Sequence, residues 1–276
     1  MTIKNAIKKA KNELQDICNS PQFEAELLLA HTLKKDRLYF HINDNEKIKN
    51  ILIDKYFELI QRRANNEPYE YIINSASFYD IDLFVADGVL IPRPETELLI
   101  DLVSEIILKE NIDYIVEIGV GSGAISIVLA RKFPNLKIIA TDISDKAILI
   151  ARKNIKLFGL ENRVEVIKSN LIDNISEIPK LVVSNPPYIA KDFLLESNVF
   201  NYEPHTALFG GDIGDELLIK IINDIKAKDI KYLACEMGYD QKESITNHLN
   251  KVEAKSYEFY KDLAGLDRGF IVKNFE

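Results

Sequence analysis

The 276 residues are long enough for two domains of ordinary size, each with its own core. Hydrophobic residues at 47% and charged residues at 28% exclude a disordered chain, and a formal net charge of −8 excludes a protein that holds nucleic acid mainly through its phosphates. Cys18 and Cys235 lie far apart with no Cys/His ligand spacing, so a disulfide framework and a metal site are excluded and a reduced, cytoplasmic compartment is expected.

The opening MTIKNAIKKAKNELQ is rich in lysine but lacks the apolar run of a secretion signal, and no later stretch is long enough to span a bilayer. Ile3, Ala6, Ile7, Ala10, Leu14 and Ile17 recur at three and four, which predicts a helix facing a core in preference to a membrane anchor. Ser20 and Pro21 predict an N-cap and first position for a second helix through FEAELLLAHTL. From Asp44 to Ala64, Ile48, Ile51, Leu52, Tyr56, Leu59 and Ile60 mark one face of a third helix, which NNEPYE ends. Residues 1–66 therefore read as a helical N-terminal domain.

Residues 67–92 read as a β-hairpin linker, because ASFYDIDLFVADGVL predicts two short strands around Asp80 and a turn at Asp87-Gly88. In the remainder, 93–276, strand and helix patterns alternate: YIVEI, ISIVLARKF, KIIATD, AILIARKNIKLF, VEVIKS, LVVSN and KYLACEM. This alternation predicts an α/β fold with a parallel sheet covered by helices on both faces. No internal repeat interrupts it.

EIGVGSGAI joins the first of these strands to a helix, so Gly119, Gly121 and Gly123 stand at a turn where a ligand can approach the backbone closely. Asp142 ends the next strand, about where a ribose-binding acid belongs. A nicotinamide cofactor and S-adenosylmethionine both carry an adenosine ribose, so this pattern alone leaves both open. His31, His41, His205 and His248 show no arrangement suited to the acid/base work of hydride transfer.

LVVSNPPYIA ends an apolar strand in Asn185, Pro186, Pro187 and Tyr188. The prolines lack backbone donors and fix φ, making a stiff corner. An Asn185 side-chain oxygen and the Pro186 carbonyl can both accept from one NH2, and a Tyr188 ring can pack on the planar group that carries it. Such a corner suits transfer to a conjugated nitrogen, whose lone pair must be oriented as positive charge develops.

Together SNPPYI, EIGVGSGAI and LIPRPETELL resemble the peptide chain release factor glutamine methyltransferases, and QRRANNEPYEYI, NYEPHTALFGG, CEMGYDQ and DLAGLDRGFIV extend the resemblance over nearly the whole chain. The resemblance implies a Rossmann-like class I methyltransferase sheet behind a small helical bundle and a linking hairpin. It also implies a cytoplasmic, monomeric enzyme with no stable nucleic-acid binding, which methylates the glutamine of the Gly-Gly-Gln motif in bacterial class 1 release factors. S-adenosylmethionine is the implied cofactor and S-adenosylhomocysteine the product. Glu117, Gly119, Gly121 and Gly123 would hold the cofactor's methionine part, Asp142 its ribose and Asn170 its adenine, with Asn185 bordering it. Asn185, Pro186, Pro187 and Tyr188 would hold the substrate glutamine, with Asn185, Pro186 and Tyr188 catalytic. Arg93, Pro94 and Glu95 would shape the pocket rim, and the helical domain would grip the release factor. The chain departs from the family pattern at Glu117, usually aspartate, at Asn170, often aspartate, and at Asn74, commonly glycine; GGDIGDELL also lacks the usual Asp-Gly-Leu run.

Alternative readings exist for these residues. PRPETE can be ordinary helix initiation, with Glu95 and Glu97 near the positive end. The NPPY tetrad is shared with adenine-methylating DNA enzymes, although the acidic balance and the lack of an evident target-recognition insertion count against them. A nicotinamide-dependent oxidoreductase or a cofactor-binding module without turnover leaves the tetrad unexplained.

Overall fold

The computed structural model describes residues 1–274, which divide into two compact units, Met1–Ser75 with Glu196–Tyr202, and Ala76–Leu195 with the chain from Glu203 onward. The first unit contains helices α1 (Ile3–Glu13), α2 (Pro21–Leu33), α3 (Arg37–Ile42), α4 (Asn50–Ala64) and α5 (Tyr69–Ile73). Ile3, Ala6, Ala10 and Leu14 pack with Leu28, Leu29, Tyr56 and Ile60 in one buried cluster, so the three-and-four spacing of α1 does face a core. Thr2 caps α1 by accepting from the Asn5 amide at 3.3 Å, whereas Ser20 precedes α2 without a side-chain capping bond.

Helix α4 starts six residues later than its apolar pattern predicts. Tertiary pairing is the reason: Ile3 donates to the Glu46 carbonyl, Lys4 to Asp44, and Ile48 to Met1, so residues 44–48 lie against the N-terminus. The short α3 and α5 carry too few turns to show a period. Asn74 follows α5 at φ 54°, a left-handed position that favours glycine and that asparagine tolerates better than other side chains.

The second unit opens with an antiparallel hairpin, β1 (Ala76–Phe78) and β2 (Ile81–Leu83). It continues as α6 (Glu95–Glu110), β3 (Tyr114–Ile118), α7 (Ala124–Lys132), β4 (Lys137–Asp142), α8 (Asp145–Leu157), β5 (Val164–Lys168) and β6 (Leu181–Ser184). After the two-residue β7 (Ile189–Ala190) come α9 (Ser197–Tyr202), which belongs to the first unit, a 3-10 turn at His205–Ala207 and β8 (Phe209–Gly211). Within the first unit the Tyr202 hydroxyl donates to the Asn65 carbonyl at 2.8 Å. The chain then forms α10 (Glu216–Ala227), β9 (Tyr232–Glu236), α11 (Lys242–Lys251), β10 (Tyr257–Lys261) and β11 (Asp267–Lys273).

Seven strands form the main sheet in the order β10-β11-β9-β6-β3-β4-β5. Five are parallel as expected, but β11 runs antiparallel to both β9 and β10, so the sheet is mixed. The physical reason is connection length: a tight turn at Asp262, whose carboxylate accepts from the Ala264 and Leu266 amides, can only return the chain antiparallel. Strand β3 is buried on both faces, its Ile115 packing with Leu99, Val128 and Ile148 on one side and its Val116 with Leu218, Ile222 and Ile245 on the other. Each such aliphatic side chain contributes about 1.5–3 kcal/mol by burial. The strand order reverses around β3, which makes the carboxyl ends of β3, β4 and β6 the place for a ligand crevice.

Candidate active site

Just beyond β3, Gly119, Gly121 and Gly123 all adopt positive φ, between 50° and 86°. The loop is pinned by donation from the Gly119 and Val120 amides to the Thr141 carbonyl at 2.8 and 2.9 Å. At Gly121 nothing lies within 4 Å of where a Cβ would stand, so the loop presents open backbone to the crevice. Gly123 serves differently. It precedes α7, and a Cβ there would press on Ile127 at 3.2 Å, so its bare backbone allows α7 to pack.

Asp142, the last residue of β4, turns its carboxylate back toward this loop, Oδ2 accepting from the Gly121 amide at 3.1 Å and Oδ1 from the Ser144 amide at 2.9 Å. Burial raises its pKa, while the backbone donors Ser144, Gly121 and Ile143 oppose the rise. Glu117 is 1% exposed and accepts from both the amide and the hydroxyl of Ser126 in α7. Desolvation pushes its carboxyl up to about 8; Ser126 opposes this and the neighbouring Asp142 charge adds to it.

The corner after β6 faces the same crevice. Ser184 is held by donation of its hydroxyl to the Ile118 carbonyl at 2.8 Å, which ties the ends of β6 and β3 together. Asn185 follows, its Nδ2 donating to Thr96 Oγ1 at 2.9 Å. One cleft is lined by Arg93, Glu117, Gly119, Gly121, Asp142, Asn170, Asn185, Pro186 and Pro187, so the structure brings these expected residues together. Asn170 is exposed at the mouth and donates to Asp173 at 3.2 Å.

Gly123, Pro94, Glu95 and Tyr188 are not part of that lining. Pro94 and Glu95 are exposed at the start of α6. The Tyr188 side chain packs against the core under α10, and its hydroxyl meets Arg268. Burial and the nearby Glu236 charge push that hydroxyl up to about 12, with Arg268 and Arg93 opposing.

Three residues missed by sequence reading hold the cleft in shape. Asn154 in α8 is fully buried, accepts from the Phe84 amide and donates to the Phe84 and Ser122 carbonyls, each at 2.9 Å, joining the segment after β2 to the glycine loop. Glu203 is buried and accepts from the Ile91 amide at 3.1 Å and from Arg93 at 2.6 Å. Thr96 holds Asn185. Thr96 and Glu203 lie within PRPETE and NYEPHTALFGG and Asn154 within a helical pattern, but the Thr, Glu and Asn types alone gave no signal of what they hold.

A model described as the PrmC N-terminal domain matches residues 5–73, and one described as the methyltransferase small domain matches 94–202. A release factor glutamine methyltransferase of Clostridium botulinum is 40% identical over 257 residues, 90% of each chain, and one of Clostridium acetobutylicum is 34% identical over 97% of each. Among solved structures, the hMettl16 catalytic domain in complex with a MAT2A 3'UTR hairpin covers 83% of each chain at a TM-score of 0.59 and 17% identity. The N-terminal domain of human METTL16 in complex with SAH covers 68% of this chain and 74% of its own at 0.53 and 18%. At these identities the two structures establish the class I methyltransferase fold alone.

Proposed function

The chain belongs to the release factor glutamine methyltransferase family, and from that premise we propose that it methylates the side-chain amide nitrogen of the glutamine in the Gly-Gly-Gln motif of bacterial class 1 release factors, using S-adenosylmethionine. The observation that carries this reading is the shared cleft: the Asn185-Pro186 corner and the glycine loop face one space at the carboxyl ends of adjacent parallel strands.

The residues present fit the cofactor. Open backbone at Gly121 and a strand-end carboxylate at Asp142 offer what an aminoacyl chain and a ribose diol require. On this reading Glu117, Gly119, Gly121 and Gly123 hold or permit the methionine part, Asp142 takes the ribose hydroxyls and Asn170 lies by the adenine, with S-adenosylhomocysteine as the product. When bound, the cofactor supplies a methyl group already activated by its sulfonium. The chain must then orient a poor nucleophile. Asn185 Oδ1 and the Pro186 carbonyl accept from the incoming NH2, turning its lone pair out of conjugation and stabilising the positive charge that develops. Pro187 keeps the corner stiff, Tyr188 supports it, and Arg93, Pro94 and Glu95 form the rim.

The helical first unit is assigned the grip on the release factor. A net charge of −8 supports a protein substrate over a phosphate backbone, and the enzyme is expected to act as a cytoplasmic monomer. Among the described residues no helix is long and apolar enough to cross a membrane. The test is transfer of labelled methyl from S-adenosylmethionine. Label should reach a release factor and not the same factor with its Gly-Gly-Gln glutamine replaced; label reaching RNA or DNA in its place overturns the reading.

A further inference from the structure

Beneath the corner lies a buried polar cluster to which the reaction just described gives no task. β6 and β9 are parallel neighbours with Ser184 opposite Cys235, so Asn185, just past β6, stands beside Glu236, the last residue of β9. Glu236 is 1% exposed and, among the described residues, its Oε2 has no hydrogen-bond partner and the buried Tyr260 hydroxyl, close enough to feel its charge, has none either. The Thr96 hydroxyl hydrogen-bonds the Glu236 carboxyl and also accepts from Asn185 Nδ2 at 2.9 Å. Arg268, Arg93 and Glu95 act on Glu236 through their charges, and Cys235, Tyr188 and Tyr260 complete the titratable groups around it. An orphaned acceptor in such a place calls for a reason.

A hydroxyl both donates and accepts, and an amide turned by 180° exchanges oxygen for nitrogen. Thr96 and Asn185 alone therefore have no preferred direction. An ionised carboxylate has one, because it only accepts. We propose that Glu236 and Thr96 are positioning residues that set the flip of the Asn185 carboxamide, keeping its Oδ1 toward the cleft as the acceptor for the substrate amide. This deepens the proposed function and rests on its reading of Asn185.

With Glu236 ionised, Thr96 donates to it and has only a lone pair left, so Asn185 must offer Nδ2 to Thr96 and Oδ1 to the cleft. With Glu236 protonated, the carboxyl can donate to Thr96, the hydroxyl proton can turn to Asn185, and the amide turns over. The cleft then presents a donor to a donor. Burial pushes the Glu236 carboxyl up to about 7, with Thr96, Arg268 and Arg93 opposing and Glu95 adding to the rise, so both states are reached near neutrality.

The test uses the full chain with a release factor as substrate. Thr96→Val should lower kcat about tenfold to a hundredfold, leaving the KM for release factor and the calorimetric affinity for S-adenosylhomocysteine unchanged. Thr96→Ser should restore most of the rate. Wild-type kcat should rise with pH through an inflection at about 7, which Glu236→Gln should lack; Glu117, held at about 8, titrates in both proteins. A readout without turnover is solvent exchange of the Asn185 side-chain NH2 in a 15N spectrum, assigned by its loss in Asn185→Asp. It should quicken in Thr96→Val. Wild-type turnover in Thr96→Val, no rescue by serine, or an inflection that stays at about 7 in Glu236→Gln each overturns the proposal. Should wild type itself fail to methylate release factor, the functional reading falls, while the exchange rates still decide whether Thr96 holds Asn185.

Discussion

Asp142 and Asn185 stand at the ends of β4 and β6, two residues to which the proposed function gives opposite duties. Asp142 already accepts from two backbone amides, which fix its carboxylate and leave its remaining lone pairs for a ligand diol. Asp142→Ala should therefore weaken S-adenosylhomocysteine binding by about 1.4–3 kcal/mol, tenfold or more, whereas Asn185→Ala should spare that affinity and lower kcat. Calorimetry on both variants beside single-turnover rates checks the division of labour; equal loss of affinity in the two would erase it. Asn74 makes a further point at this scale. Where the resemblance leads one to expect glycine, asparagine holds a left-handed position that such a backbone accepts at low cost.

Among the elements, the segment entering α6 is tied to the loop after α9 by Glu203, which joins Arg93 and the Ile91 backbone. The Glu203 side chain is 2% exposed, so Glu203→Gln leaves Arg93 with a weaker partner in a desolvated place and should cost about 1–3 kcal/mol in urea unfolding. Lys146→Gln, which loses only the exposed pair with Asp87, should cost about 1 kcal/mol or less, so a ranking the other way would refute the buried tie. The same contrast between local and distant partners separates what could be read in the sequence from what could not. Strands β3, β4 and β6 were legible because burial on both faces writes an apolar run into the chain. The glycine loop and the proline corner were legible because their constraints act within a few residues. Strand β10 was not, since its side chains are only half-buried or exposed. Asn154, Glu203 and Thr96 were hidden for another reason: their partners lie 70, 110 and 89 residues away, and no local pattern records such meetings.

Taken whole, the molecule holds Asp142 somewhat raised and, among the described residues, two fully buried carboxyls far above their ordinary values, Glu117 at about 8 and Glu236 at about 7. In the unfolded chain both ionise near 4.5, so between that value and about 8 the native state holds more protons than the unfolded one. Stability from this source is complete below pH 4.5 and is lost as pH rises through the native values. Carboxylates with lowered values, such as Glu26, Asp101 and Asp262, titrate below this window and do not cancel it. His31 and His248, lowered from 6.5 by burial, act in the opposite sense below that value, so the urea midpoint should fall between pH 6.5 and 8.5 and Glu117→Gln should flatten the slope; a midpoint rising over that range would contradict the assignment. The assembly of the first unit from Met1–Ser75 and Glu196–Tyr202 bears on biogenesis as well. During synthesis its opening helices leave the ribosome while the last piece of their own unit is still about 120 codons from being translated. That unit must wait, incomplete, until most of the sheet-forming chain has emerged.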